Sequence, residues 1–105
     1  MTSRPRYADH RAYVVPDHLG ELTGPTAGVV TLPSHLDWSE QHTYDLSDEA
    51  QAGLMYERVI REAVRPEDLR LLNAAVLKRL WRRIFLPHRA RQAWESRFSD
   101  LTRAA

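Results

Sequence analysis

The sequence predicts a mainly α protein: a compact C-terminal cluster of three or four short helices, carrying an irregular N-terminal arm with at most one short strand. Three observations predict it. Residues 47–101 repeat apolar side chains at helical spacing. Pro66 and Pro87 cut that stretch into short helices joined by brief links. Seven breakers, Pro5, Pro16, Gly20, Gly24, Pro25, Gly28 and Pro33, interrupt residues 1–46 before a long period can form.

Within the arm, Pro16 to Leu22 reads as one helical turn with Pro near its start. Val29 to Leu32, between Gly28 and Pro33, reads as a short extended strand. Tyr7, Tyr13, Leu36, Trp38 and Tyr44 are large apolar side chains set among polar neighbours. A segment with so little periodicity does not fold alone, but such anchors let it order on a surface. Tyr13, Leu36, Trp38 and Tyr44 are therefore expected to pack on the chain's own helices or to bind a partner. The division is an arm over 1–46 and a helical domain over 47–105, together one folding unit.

Ser47 is a suitable N-cap, and Asp48 and Glu49 fall where the helix dipole favours acids. Ala52, Met55, Tyr56, Val59, Ile60, Ala63 and Val64 then trace one apolar stripe. Glu57 with Arg61, and Arg58 with Glu62, are spaced as i,i+4 pairs on the wet face. Pro66 ends this helix and opens a short one through Leu72, with Glu67 and Asp68 in its first turn. Asn73 caps a third helix whose apolar face is Leu77, Leu80, Trp81 and Ile84. After the apolar link Phe85-Leu86, Pro87 begins a fourth, with Ala90, Trp94, Phe98 and Leu101 in line. Met55, Tyr56, Val59, Ile60, Leu77, Leu80, Trp81, Trp94 and Phe98 should form one buried cluster. Helices this short pack at steep angles and not as a long up-and-down bundle.

Several functional classes drop out on composition. The chain has no cysteine, which removes disulfides, thiolate metal sites and cysteine nucleophiles and fits a reducing compartment. The first residues lack the apolar core of a signal peptide, and no stretch approaches the roughly 20 apolar residues of a membrane span. A cytoplasmic protein with no membrane partner is expected. His35-Leu36-Asp37 with His42 is the nearest approach to a metal cluster, but its spacing matches no zinc motif. Thr23 to Gly28 has two glycines without the Lys-Ser/Thr of a phosphate loop, and no nucleophile elbow is present. No catalytic, metal or cofactor site assembles, so a binding protein is expected and not an enzyme.

Charge is distributed unevenly. Residues 1–50 carry three bases against eight acids, and residues 51–105 carry twelve bases against six acids. Lys78, Arg79, Arg82, Arg83, Arg89 and Arg91 concentrate the positive charge. Three readings of this patch stand: a solvated face matched by the acidic arm, a dock for an acidic protein, and a nucleic-acid surface. In the last, Arg89, Arg91 and Gln92 would open a recognition helix, although Ile84-Phe85-Leu86-Pro87 is unusually apolar for the turn of such a motif.

Six segments taken together carry a resemblance. Leu32-Pro33-Ser34-His35-Leu36-Asp37-Trp38 and Thr43-Tyr44-Asp45-Leu46 precede the run Met55-Tyr56-Glu57-Arg58-Val59-Ile60-Arg61-Glu62-Ala63. Leu80-Trp81, with Leu86-Pro87, and Arg91-Gln92-Ala93-Trp94-Glu95 follow. This string, spread over most of residues 13–98, resembles a group of small bacterial proteins encoded beside nucleotidyltransferase-like toxins of the abortive-infection (AbiEii/AbiGii) class. The resemblance implies an antitoxin-like partner of such a toxin, covering its active cleft, and it supplies no catalytic residues. The alternative is a small nucleic-acid-binding regulator that uses the basic C-terminal helices.

Overall fold

A computed structural model describes residues 12–103. Tyr7, read above as an anchor of the arm, lies outside the described residues. The architecture is mainly α, as the sequence predicts. A single 3-10 turn (Leu19–Glu21) and a two-stranded antiparallel hairpin, β1 (Val29–Thr31) and β2 (Thr43–Asp45), precede helix α1 (Glu49–Glu62). A second 3-10 helix (Pro66–Leu71), α2 (Ala74–Leu80), α3 (His88–Arg97) and α4 (Ser99–Arg103) complete the chain.

The arm holds one strand more than expected. Val29, Val30 and Thr31 pair with Asp45, Tyr44 and Thr43 respectively. Gly28 adopts φ of +89°, the left-handed region open to glycine, and its carbonyl accepts Leu46 N–H at 2.8 Å. Thr43-Tyr44-Asp45-Leu46 alternates polar and apolar residues, and that period turns Tyr44 inward.

Local capping chemistry fixes the helix ends, with three corrections to the sequence reading. The N-cap of α1 is Asp48 and not Ser47: its carboxylate accepts from Ala50 N and Gln51 N, while Ser47 donates to Asp45. Helix α1 stops at Glu62, because Ala63 turns extended and Asp68 accepts from Val64 N and Arg65 N at 2.9 and 3.2 Å. Val64, expected on the apolar stripe, is therefore exposed. The last helix is broken at Phe98, whose extended backbone separates α3 from α4. Leu101 is nonetheless fully buried. Asn73 caps α2 as read from the sequence, accepting from Ala75 N and Val76 N.

The nine residues expected in the core do pack together, with Phe98 at its edge. The same core continues into the arm through Leu22, Leu32, Leu36, Tyr44 and Leu46. Main-chain ties reinforce this. Gly24 N donates to Leu72 O at 2.8 Å, Ala74 N donates to Leu22 O at 2.9 Å, and Asn73 Nδ2 donates to Gly24 O at 3.1 Å. Among the described residues no helix is long and apolar enough to cross a membrane.

Candidate protein-docking site

The connection between β1 and β2 is built around one buried acid. Pro33 O accepts from Leu36 N and Asp37 N at 3.0 and 3.1 Å, closing a tight turn. Leu36 points into the core. Asp37 is also buried, and a lone buried carboxylate costs several kcal/mol unless it is paired and hydrogen-bonded. Its Oδ1 accepts from Ser39 N at 3.0 Å and Ser39 Oγ at 2.5 Å, and its Oδ2 accepts from the Tyr44 hydroxyl. Arg58 Nη2, reaching over from α1, lies 3.8 Å from Oδ1. Burial alone would raise the Asp37 carboxyl. The hydrogen bonds from Ser39 and Tyr44 and the charge of Arg58 outweigh it and hold the group below the usual carboxylate range. Burial and the neighbouring Asp37 push the Tyr44 phenol up.

With the residues on either side secured, Trp38 is displayed outward, 68% exposed. The Arg58 guanidinium carbon sits 5.4 Å from its ring centroid, a cation–π contact that orients the indole. Beside the ring lies a shallow cavity of about 190 Å³ lined by Thr31, Leu32, Ser34, Ser39 and His42. Glu40 is exposed and makes no hydrogen bond or ion pair among the described residues.

The four expected partner-binding residues thus separate. Leu36 and Tyr44 are core residues and hold the loop in place. Tyr13 is half-buried against the core, and Trp38 alone of the four is open. The histidines considered for a metal are used one by one. His35 donates from Nε2 to Asp68 Oδ1 at 2.8 Å, and His42 donates from Nδ1 to Ser39 O at 3.1 Å. Among the described residues no three His, Asp or Glu side chains gather as a metal set. Burial would raise the Asp68 carboxyl, but donation from Val64 N, His35 and Arg65 N holds it low.

The basic patch is largely committed to internal contacts. Arg91 turns inward and donates to Trp81 O at 3.0 Å and Ile84 O at 2.6 Å, satisfying carbonyls at the end of α2. Its guanidinium also lies 4.8 Å from the Trp81 ring centroid. The Arg91 guanidinium is thus engaged within the chain, where the charge pattern had set it in an exposed basic patch. Arg79 bonds Glu49 at 2.9 Å, lowering the carboxyl of Glu49, and Lys78 stands 3.7 Å from Asp100. Arg89 lines a groove with Ala12, Tyr13 and Gln92 and is not free. Arg82 and Arg83 remain turned to solvent.

The sequence marks Arg58 only as a wet-face i,i+4 partner of Glu62 and does not single out Ser39. Asp37-Trp38-Ser39 carries the signature of an Asx turn, which could have identified Ser39. The bond from Arg58 spans 21 positions and has no local signal. Comparison with protein-family models, with curated proteins and with solved structures gave no match.

Proposed function

We propose that this protein is an interaction module, an antitoxin-like partner that neutralises a nucleotidyltransferase-type toxin by covering its active cleft, with Trp38 as the anchor. The observation that carries the docking role is the contrast within one loop. Leu36, Asp37 and Tyr44 are buried and tied down, while a tryptophan between them is presented to solvent. An exposed Trp on a preorganised loop loses little conformational entropy on binding, and Trp leads the residue types that dominate interface energies. The identity of the partner rests on the string of segments that resembles the toxin-associated group.

Glu40, two residues beyond Trp38, supplies negative charge next to the anchor. A cleft that handles nucleotides or RNA is basic for its own reasons, so the pair is complementary to it. The test is co-expression with a nucleotidyltransferase encoded in the neighbouring gene. Wild-type protein rescues growth and co-purifies with the toxin. Trp38→Ala loses both by about 2 kcal/mol or more of binding energy while keeping its melting temperature. Full rescue by a folded Trp38→Ala protein refutes the assignment of the anchor.

A further inference from the structure

The hairpin leaves one edge open. Gly28 O accepts from Leu46 N and Leu32 N donates to His42 O, both at 2.8 Å, so Gly28, Val30 and Leu32 turn their main-chain groups towards β2. Val29 and Thr31 therefore point theirs the other way. Among the described residues, no group donates to them or accepts from them. The far edge of β2 is closed at Asp45. Its N–H donates to Gln51 Oε1 at 2.9 Å, and its carbonyl accepts from Asp48 N at 3.1 Å.

The open edge also lacks the features by which sheets deter pairing. Natural edges are guarded by charged side chains, by an internal Pro or by a bulge. Residues 22–34 contain no charged side chain, and β1 pairs with β2 without a bulge. Val29-Val30-Thr31 is a strong strand sequence, and the Val29 side chain is 67% exposed. Thr31, at the end of this edge, lines the cavity beside Trp38, so edge and anchor form one continuous surface.

The chemistry of the edge selects its occupant. Two N–H and two C=O groups in alternation are satisfied together only by another extended main chain. A helix has used its own groups internally, and a phosphate would meet the N–H groups but repel the carbonyls. A second copy of the chain fits less well. Paired antiparallel about Val30, its own Gly28 would lie opposite Leu32, and there the chain turns away at φ of +89°. The area is also small. Three residues at roughly 3.3 Å each give an edge of about 10 Å, and Trp38 adds about 150–250 Å². Each member of a stable dimer contributes about 800 Å². The surface is the size of a peptide site.

We infer that β1 accepts an extended segment of the partner protein as a third strand, bonded to the main chain of Val29 and Thr31 and running on to Trp38. The inference rests on the reading of Trp38 as a docking anchor and adds how the partner binds. Main-chain bonds supply affinity, and β-branched or aromatic side chains at alternate positions pack beside Val29 and Thr31.

The test pans a displayed library of random peptides of about 12 residues against the full chain. The expected consensus repeats β-branched or aromatic residues two apart. On adding a selected peptide, amide exchange at Val29 and Thr31 should slow at least tenfold. N-methylation of the peptide at alternate amides should weaken binding at least tenfold, and methylation of the amides between them should not; this arm leaves the protein unaltered. Val29→Pro removes an outward N–H without breaking a hairpin bond and should weaken binding at least tenfold while the protein still melts cooperatively. No selected peptide, a consensus with residues three or four apart, or unchanged exchange at Val29 and Thr31 overturns the inference. So does concentration-dependent dimerisation lost in Val29→Pro, which makes the occupant a second copy. If Trp38→Ala weakens the peptide but Val29→Pro and N-methylation do not, the anchor stands and the strand addition falls. If Val29→Pro abolishes binding and Trp38→Ala has no effect, the strand addition stands and the anchor falls.

Discussion

Arg58 holds its guanidinium carbon 5.4 Å from the ring centroid of Trp38, the most exposed aromatic of the hairpin loop. The same guanidinium lies 3.8 Å from the buried carboxylate of Asp37. One side chain from the first long helix thus balances the charge inside the loop and orients the tryptophan outside it. The anchor of the proposed interface is coupled to the core through this contact.

The loop should be acid-sensitive at Asp37. Its carboxyl titrates below the ordinary value in the folded protein, because the donors from Ser39 and Tyr44 and the charge of Arg58 outweigh burial. Above the unfolded value of about 3.9 both states are ionised and the stabilisation is fully present. As pH falls from there the unfolded chain takes up the proton first, so the stabilisation is lost progressively towards the lower folded value. Asp37→Asn should cost about 1–3 kcal/mol at neutral pH. In urea melts, the gap between wild type and variant should close below about pH 4. A gap independent of pH would mean that the ionised carboxylate is not what the site requires.

Trp81 should be the costliest truncation in the core. Its ring is buried 6.2 Å from that of Trp94, its Nε1 donates to Glu95 at 2.8 Å, and Arg91 covers one face. Trp81→Ala should lose about 3–5 kcal/mol. That corresponds to a fall in melting temperature on the order of 12 °C or more, readable by circular dichroism. A near-native melting point would refute this packing.

Gly24→Ala should be destabilising for a steric reason. A Cβ at this position would lie 2.4 Å from Leu71 O and 2.8 Å from Arg70 O, both main-chain atoms that cannot swing aside. The arm would have to lift from the 3-10 helix, breaking the bond from Gly24 N to Leu72 O. A loss of about 1–3 kcal/mol is expected. Faster amide exchange at Gly24 and Ala74 would localise it.

Deleting residues 1–46 should unfold the remainder and not release a stable helical domain. The deletion removes Leu22, Leu32, Leu36, Tyr44 and Leu46 from the core. At about 1.5–3 kcal/mol of burial for each large side chain, the loss rivals the whole stability of an ordinary domain, about 5–15 kcal/mol. Far-UV circular dichroism and urea titration of residues 47–105 decide it. A cooperative helical melt would show that the arm is an accessory. The proposed docking role is therefore better tested with Trp38→Ala than by truncation.

The sequence by itself determined most of the helices and their approximate ends, but not the break at Phe98. The stripe from Ala52 to Ile60, the Asn73 cap, and the breaks before Pro66 and Pro87 all follow from periodicity and capping within a few residues. It also placed Trp81 and Trp94 in the core. Only the tertiary structure decided which arm anchors turn in and which turns out. Leu36, Trp38 and Tyr44 are alike as apolar residues among polar ones. Their directions depend on the pairing of β2 with β1 and on Arg58 reaching across 21 positions to Asp37. The same holds for Arg91, which a charge pattern assigns to solvent but which the carbonyls of Trp81 and Ile84 draw inward. Local signals are written in contiguous residues, whereas the choice of face is made by hydrogen bonds and charges that meet only when the chain has closed.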